Sequence, residues 1–308
     1  MTKMPPSAAS MQSVATETAG IVTHPRSFCY HRSGTLTRPP SSPVLVVAYD
    51  GSADADVALE WAMKSVAAQD GVTIHLLEAL GLPPMPQQPW MTPPEELLAD
   101  SERLAWERLE AQGAVIRKRG IAAQLHLRRW LPAESIVDLA KELHAGLIVL
   151  GRRGRSAKRL WIGSVSGDVS RLANCPVVVV RGERFEAPPR RILVALDGSA
   201  PSRVAARAAA QLFPRAQAIA LNVTRGDDAL SPSELETEAA ALGFAAGNLR
   251  SEAAEGDPAA TILDLARKAE VDLIAAGRRG RGPLQELLFG SVAEKLLQLA
   301  PCPILLAH

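Results

Sequence analysis

The sequence predicts an α/β protein made of two parallel, doubly wound sheets in tandem. Three observations lead there. The 308 residues are 47% apolar and 22% charged, an ordinary globular mixture that can bury one or two cores and excludes a chain disordered throughout. Short β-branched runs alternate with helical periodicities, the pattern of a sheet covered by helices on both faces. And the alternation occurs twice, because the chain repeats itself.

The repeat consists of four blocks in one order. Asp50-Gly51-Ser52-Ala53 returns as Asp197-Gly198-Ser199-Ala200, and Gly151-Arg152-Arg153-Gly154-Arg155 as Gly277-Arg278-Arg279-Gly280-Arg281. Gly163-Ser164-Val165 returns as Gly290-Ser291-Val292, and Cys175-Pro176 as Cys302-Pro303. The first blocks lie 147 positions apart and the second 126 apart, so the first half holds 21 additional residues between them. A proline-rich stretch from Gly81 to about Asp100 accounts for most of these and reads as a surface loop preceding a helix.

In each half, the first strand is a short apolar run bounded by turn residues, Val44–Ala48 and Ile192–Leu196. Val72–Leu77 and Ala218–Val223 follow as second strands. Ile136, Leu139, Ala140 and Leu143 keep helical spacing, as do Ile262, Leu265, Ala266 and Ala269, the latter entered through Asp257 as N-cap and Pro258 as N1. Gly146–Leu150 and Asp272–Ala276 read as fourth strands, Val177–Val180 and Ile304–Leu306 as fifth, and Val292–Leu299 as a final helix. The expected layout is a disordered tail over 1–43, one domain over 44–182, a linker over 183–190 containing Pro188 and Pro189, and a second domain over 191–308.

The formal charge is +1, from 34 Lys and Arg against 33 Asp and Glu, so no global field draws the molecule to nucleic acid or an anionic membrane. The tail carries Lys3, Arg26, Arg32 and Arg38 against Glu17, with six prolines and no sustained period. It has no secretory apolar block, and no run approaches the ~20 residues of a membrane span. The cytoplasm is the expected compartment. Cys29, Cys175 and Cys302 are too scattered for a disulfide framework, and the six histidines form no pair at i, i+4, so no metal site is expected. Cys175 and Cys302 read as packed thiols, and Trp61, Trp106, Trp130 and Trp161 as packing residues.

In open parallel sheets, ligands bind beyond the carboxyl ends of the strands, where the strand order reverses. The Asp-Gly-Ser-Ala and Gly-Arg-Arg-Gly-Arg blocks both fall at such ends. Glycines that permit close backbone approach, a helix N-terminus and Arg278, Arg279 and Arg281 together suit phosphate, with a solvated face as the plain alternative for the arginines. Ser291 and Glu294 have capping-box spacing, which makes Ser291 the expected N-cap. Asp50 and Asp197 either contact a ligand or simply order the following turn. There is no Gly-Lys-Ser/Thr of a Walker loop and no Gly-x-Gly-x-x-Gly after the first strand.

Gly277-x2-Gly280-x9-Gly290-Ser291, the strand-end Asp197 and Pro301-Cys302-Pro303 before an apolar terminal strand resemble the ATP-binding class of universal stress protein domain. The first half has the same order in Asp50, Gly151-x2-Gly154, Gly163-Ser164 and Cys175-Pro176. The resemblance implies two flavodoxin-like domains of five parallel strands, paired within the chain as single-domain relatives dimerise, with a homodimer of the whole chain also allowed. It implies ATP, with Mg2+ as an accompanying ion, as the ligand. Ala195, Leu196, Asp197 and Val223, and Ala48, Tyr49, Asp50 and Leu77, would line adenine and ribose. Gly277, Gly280, Gly290, Ser291 and Val292, and Gly151, Gly154, Gly163, Ser164 and Val165, would hold ribose and phosphates. The first loop is one residue shorter between its second and third glycines, which favours the second half as the better binder.

Three functions remain open at this stage. The first is a nucleotide-dependent stress or signalling module with at most slow turnover, since no general base is positioned. The second is an ATPase or nucleotidyl transferase resting on Asp197 or Asp50. The third is an interaction module without ligand.

Overall fold

Strand and helix alternate from Val44 to Ala307. The computed structural model describes residues 44–66, 71–81, 95–154, 164–181, 186–224, 230–280 and 289–308, with backbone alone for 95–97. The expected disorder of 1–43, residues 82–94 of the proline-rich loop, linker residues 183–185, Cys29, Arg155, Trp161, Gly163 and Arg281 lie outside the described residues. The first half runs β1 (Val44–Ala48), α1 (Ala53–Ser65), β2 (Thr73–Ala79), α2 (Glu95–Lys118), β3 (Ala122–Arg128), α3 (Pro132–Glu142), β4 (Leu147–Gly151), α4 (Ser164–Leu172) and β5 (Val177–Val180). The second runs β6 (Arg191–Ala195), α5 (Ala200–Leu212), β7 (Gln217–Thr224), α6 (Pro232–Ala241), β8 (Leu249–Glu255), α7 (Pro258–Lys268), β9 (Leu273–Gly277), α8 (Ser291–Leu299) and β10 (Ile304–Ala307).

All ten strands form one sheet in the order β3-β2-β1-β4-β5-β10-β9-β6-β7-β8. Within each half every pairing is parallel; at the seam, β5 and β10 are antiparallel, with Val178 opposite Leu305. Antiparallel pairing at the seam turns the two halves head to tail, so their strand carboxyl ends lie at opposite edges of the sheet. Each half reverses its strand order between its first and fourth strands, β1 beside β4 and β6 beside β9.

Alternation along the strands divides the core into two layers. Leu45 and Val47 face the layer holding Trp61, Leu109 and, from the second half, Phe213 and Leu235. Val46 faces the other, with Ile136, Leu139, Val169, Ile262 and Leu296. Both layers cross from one half into the other: Trp61 is fully buried and meets the Phe213 ring edge-on at 6.1 Å between centroids. Trp106 and Trp130, expected to pack, are instead surface residues at 41% and 42% exposure, on the outer side of α2 and in the turn after β3. Asp257 caps α7 by accepting from the Ala260 amide at 2.9 Å, with Pro258 at N1 as the spacing predicts.

The edge strands β3 and β8 are half-exposed and polar, with Gln124, Arg128, Arg250 and Glu252 among their residues. On β2 and β3, His75 Nδ1 and His126 Nε2 lie 3.0 Å apart with the rings stacked, so one nitrogen donates and the other accepts. Burial and then the neighbouring His126 push His75 from 6.5 down to about 4, and burial and the Arg128 charge also lower His126. The unfolded chain therefore takes up protons near pH 6.5 that the fold refuses. Stability from this pair is complete above that pH and is lost as pH falls through about 4. Urea unfolding measured across this window should show the loss, and His75→Gln should flatten the slope; an unchanged slope would refute the assignment.

Candidate functional site

The two order-reversal points place the repeated blocks together, once per half. The turn after each first strand is built by its aspartate: Asp50 Oδ1 accepts from the Ser52 amide at 3.0 Å, and Asp197 Oδ1 from the Ser199 amide at 3.0 Å. Gly51 and Gly198 take φ of 74° and 76°, a left-handed conformation that glycine adopts without strain. Ser52 and Ser199 then cap α1 and α5, accepting from Ala55 and Ser202 amides at 3.2 and 3.3 Å. Each of these serines also donates to the glycine loop, to the carbonyls of Arg153 at 3.3 Å and Arg279 at 3.4 Å. The serine that ties turn to loop is legible in the Asp-Gly-Ser-Ala block beside the aspartate, since Ser before a helical run is the usual cap.

The glycines are required by distance. A Cβ on Gly277 would lie 2.7 Å from the Ser202 amide nitrogen, and one on Gly151 would lie 2.6 Å from the Asp54 carbonyl, so the fourth strands pass directly against the first turns of α5 and α1. A Cβ on Gly280 would meet Asp197 Oδ2 at 2.8 Å, and one on Gly154 would meet Asp50 Oδ2 at 2.7 Å. The carboxylate therefore has one oxygen on its own turn and the other against the loop. Gly290 closes the second loop by donating to the Arg278 carbonyl at 3.0 Å.

Gly290, not Ser291, is the N-cap of α8, and no side chain caps the helix. The capping-box expectation fails because the glycine takes the extended cap conformation one residue earlier, leaving Ser291 at N1. Ser164 likewise opens α4, while Gly163 is outside the described residues. Val165 and Val292 are partly buried against the α3/α4/α7/α8 layer.

The adenine-side expectations divide. Ala48 and Ala195 are partly buried at the strand ends beside Asp50 and Asp197, and Val223 is partly buried near the end of β7. Leu77 does not belong with Val223: the register pairs Ala48 with Leu77 and Ala195 with Leu221, so Val223 corresponds to Ala79. Leu77 is 1% exposed and its carbonyl is taken by the Tyr49 amide at 2.8 Å. The side chains of Tyr49 and Leu196 also turn into the core, by strand alternation. Tyr49 Oη donates to Asp56 Oδ1 at 2.7 Å, and burial with that carboxylate pushes its hydroxyl up to about 12.

Neither reading of the first arginines holds. Arg152 and Arg278 are buried, neither on a solvated face nor turned to a phosphate, and both reach across the seam. Arg153 binds Asp54 Oδ2 through its amide at 3.1 Å and its Nε at 3.3 Å. One cluster lies outside the four repeated blocks. Glu78, buried at the end of β2, holds Arg108 of α2 at 2.5 Å, and Arg108 lies over Gly51, where a Cβ would meet its Cδ at 2.8 Å. Its second-half counterpart is Asn222, which donates to the Leu196 carbonyl at 2.6 Å. Aligning Leu77-Glu78 with Leu221-Asn222 would have exposed this difference.

Cys302 is buried and its thiol is pushed up to about 12 by that burial, while Cys175 is half-buried. Among the described residues no cluster of three His, Cys, Asp or Glu could hold a metal ion, and no helix is long and apolar enough to cross a membrane. A cleft of about 540 Å³ lies elsewhere, lined by Arg191, Gln217, Leu249 and Lys268 at the amino ends of β6–β8.

This geometry predicts two costs in urea unfolding. Ser199→Ala should lose about 1 kcal/mol as an N-cap. Gly277→Ala should lose about 1–3 kcal/mol through overpacking, because the opposing atom is backbone. An unaltered midpoint for Gly277→Ala would contradict the close approach.

The chain is similar in sequence and fold to known proteins. The universal stress protein family matches residues 43–181 and 189–308. A universal stress protein of Mycolicibacterium smegmatis is 29% identical over 291 residues, covering 86% of this chain and 96% of that protein. One from Mycobacterium tuberculosis is 27% identical over 312 residues, covering 89% and 99%. Among solved structures, a universal stress protein from Archaeoglobus fulgidus superimposes with a TM-score of 0.67 at 20% identity, covering 86% of this chain and 97% of that one, a likeness of fold. With both halves matched, the chain belongs to the universal stress protein family.

Proposed function

We propose that the chain, read as two domains over 44–182 and 191–308, binds ATP at its strand-end clefts and acts as a nucleotide-dependent stress or signalling module. One observation carries this reading: α8 begins at a glycine cap with no side-chain cap, Ser291 follows at N1, and the loop before it is closed by Gly290. The orphan amides of the first turn and the positive end of the helix dipole favour a phosphate there. The motif Gly277-x2-Gly280-x9-Gly290-Ser291, which resembles that of ATP-binding family members, supports the same ligand.

Asp197 and Asp50 each supply a carboxylate with one oxygen committed to a turn amide, and the further carboxylates at the first cleft, Asp54 and Glu78, are paired with Arg153 and Arg108. That fits a Mg2+ carried in on phosphate oxygens better than a cage built by the protein. Such a carboxylate positions the loop and the ion, and slow turnover at most is the corollary.

The test is calorimetry with ATP and Mg2+, together with the melting temperature, which bound nucleotide raises by mass action. Because Ser291 caps nothing, Ser291→Ala should leave the melting temperature of the free protein unchanged and weaken ATP about tenfold or more, the order expected for a lost charge-assisted hydrogen bond. No heat and no shift at millimolar ATP would end the proposal. Multiple turnovers of phosphate release, abolished by Asp197→Asn, would favour an ATPase instead.

A further inference from the structure

Each half has a step where its edge strand runs out from under the covering helix. α7 packs on β6 and β7, α3 packs on β1 and β2, and in both halves the edge strand, β8 or β3, lies beyond the helix. The first half closes this step. Arg128 of β3 bridges to Glu142 of α3, and on the same face of β2 and β3 the His75 and His126 rings stack. The second half leaves it open. Register matches Arg128 with Ala254, His75 with Ile219 and His126 with Glu252, and the prolines that open α3 and α7 match Glu142 with Lys268. Neither the bridge nor the ring stack can form, and the cleft of about 540 Å³ lies there.

The charge of the step also changes sign. Val44, Gln124 and Glu142 of the first half stand where the second half has Arg191, Arg250 and Lys268, and all three cations line the cleft. Alternation puts Arg191 and Gln217 on the α7 side with Ile219, and Arg250 lies opposite Ile219 across the β7–β8 ladder. Two strand spacings and two residue rises set the α-carbons of Arg191 and Arg250 about 12 Å apart, at opposite corners of the opening. Between them the wall is apolar. Ile219 is 5% exposed, and Leu265 and Ala269 of α7 are half-buried.

The cations are held at the rim and remain exchangeable. Arg191 donates through Nη1 to the Ala269 carbonyl at 2.9 Å, which fixes its guanidinium beside that wall. Each cation also has a carboxylate at the surface: Glu270 at 3.4 Å from Arg191, Glu252 at 3.0 Å from Arg250 and Asp264 at 2.8 Å from Lys268. Exposed pairs of this kind contribute about 0–1 kcal/mol, so an anion that also covers the apolar wall can exchange for them.

A space of this size suits a small molecule. We propose that the cleft is a second ligand site for a small organic anion, whose apolar body lies against Ile219, Leu265 and Ala269 and whose carboxylate, sulfonate or phosphate is taken by Arg191, Arg250 and Lys268. The planar forks of the two arginines match the paired oxygens of such a group. The site is at the amino ends of β6–β8, the opposite edge from the Asp197 turn, and needs no nucleotide there.

The probe is anilinonaphthalene sulfonate, an apolar body with one anionic group, titrated by fluorescence against the full chain with and without millimolar ATP and Mg2+. Emission should rise to saturation and ATP should leave the rise unchanged. Arg250→Gln, on an exposed edge strand, should weaken the probe about tenfold, the order of a lost hydrogen bond to a charged group. Gln217→Glu, exposed at the start of β7, should weaken it through like-charge repulsion. Arg203→Gln removes a cation paired with Glu238 on α5, away from the cleft, and should change nothing. Phenylnaphthylamine, which lacks the sulfonate, should bind at least tenfold more weakly.

No saturable rise overturns the proposal, as does a rise that survives either Arg250→Gln or Gln217→Glu in full. Equal weakening by Arg203→Gln would reduce the effect to net charge, and equal binding of phenylnaphthylamine would remove the anion; either result overturns it too. Displacement of the probe by ATP would put it in a strand-end cleft, overturning this site while supporting the nucleotide reading.

Discussion

The candidate site depends on one steric constraint, the contact between the strand-one aspartate and the second glycine of the loop. A Cβ at position 280 or 154 would stand 2.8 or 2.7 Å from a carboxylate oxygen, which would have to turn aside and leave its place between turn and loop. The contact fixes what lies on either side. The turn amide holds one aspartate oxygen, the cap serine spans to the loop carbonyl, and the loop returns through Gly290 to the start of the last helix. The aspartate and serine contacts recur in the first half through Asp50 and Ser52, which makes them a property of the repeated motif rather than of one sequence context.

The seam adds a second constraint. Val178, Val179, Leu305 and Leu306 are all buried at the pairing of β5 with β10, and both apolar layers continue across it. Removing about 1.5–3 kcal/mol per large apolar side chain from water makes such a junction a core in its own right, not a loose contact of two bodies. Into this core go Arg152 and Arg278, with Arg181 alongside, a placement that makes sense only because the helix ends there offer carbonyls.

Most of the fold was legible because buried parallel strands are continuous apolar runs: Val44–Ala48 and Val177–Val180 carry the predicted bounds, and the others differ by a residue or two. The third strands are edge strands: in Leu249–Glu255 polar residues break both the run and the alternation, whereas Ala122–Arg128 does alternate, Ala123, Leu125 and Leu127 packing on the core between Gln124, His126 and Arg128, a period-2 signal hidden only by the lack of a continuous apolar run. At the site, the glycine spacing and the aspartates were readable as chemistry. Three things were not. The cap of α8 moved to Gly290 because cap conformation, not side-chain preference, decided it. Leu77 was matched to Val223 because a repeat offset does not reveal register within a strand. Arg152 and Arg278 read as phosphate contacts or a solvated face because their partners are on the other half, more than a hundred residues away.

The two clefts, built from one motif, differ in charge. In the first, Asp54 stands in the opening turn of α1 and holds Arg153 by both amide and guanidinium, and the Glu78–Arg108 pair borders the Asp50–Gly51 turn. In the second, Pro201 occupies the place of Asp54 and Asn222 that of Glu78, so these two positions carry no charge. A phosphate approaching the first cleft must compete with Asp54 for Arg153 and lies in that carboxylate's field; at the second, Pro201 contributes no such field. On the nucleotide reading proposed above, the change from Asp54 to Pro201 and the longer loop favour the same half. The duplicated motif repeats the turn and its cap serine, while the neighbouring positions give each copy its own charge.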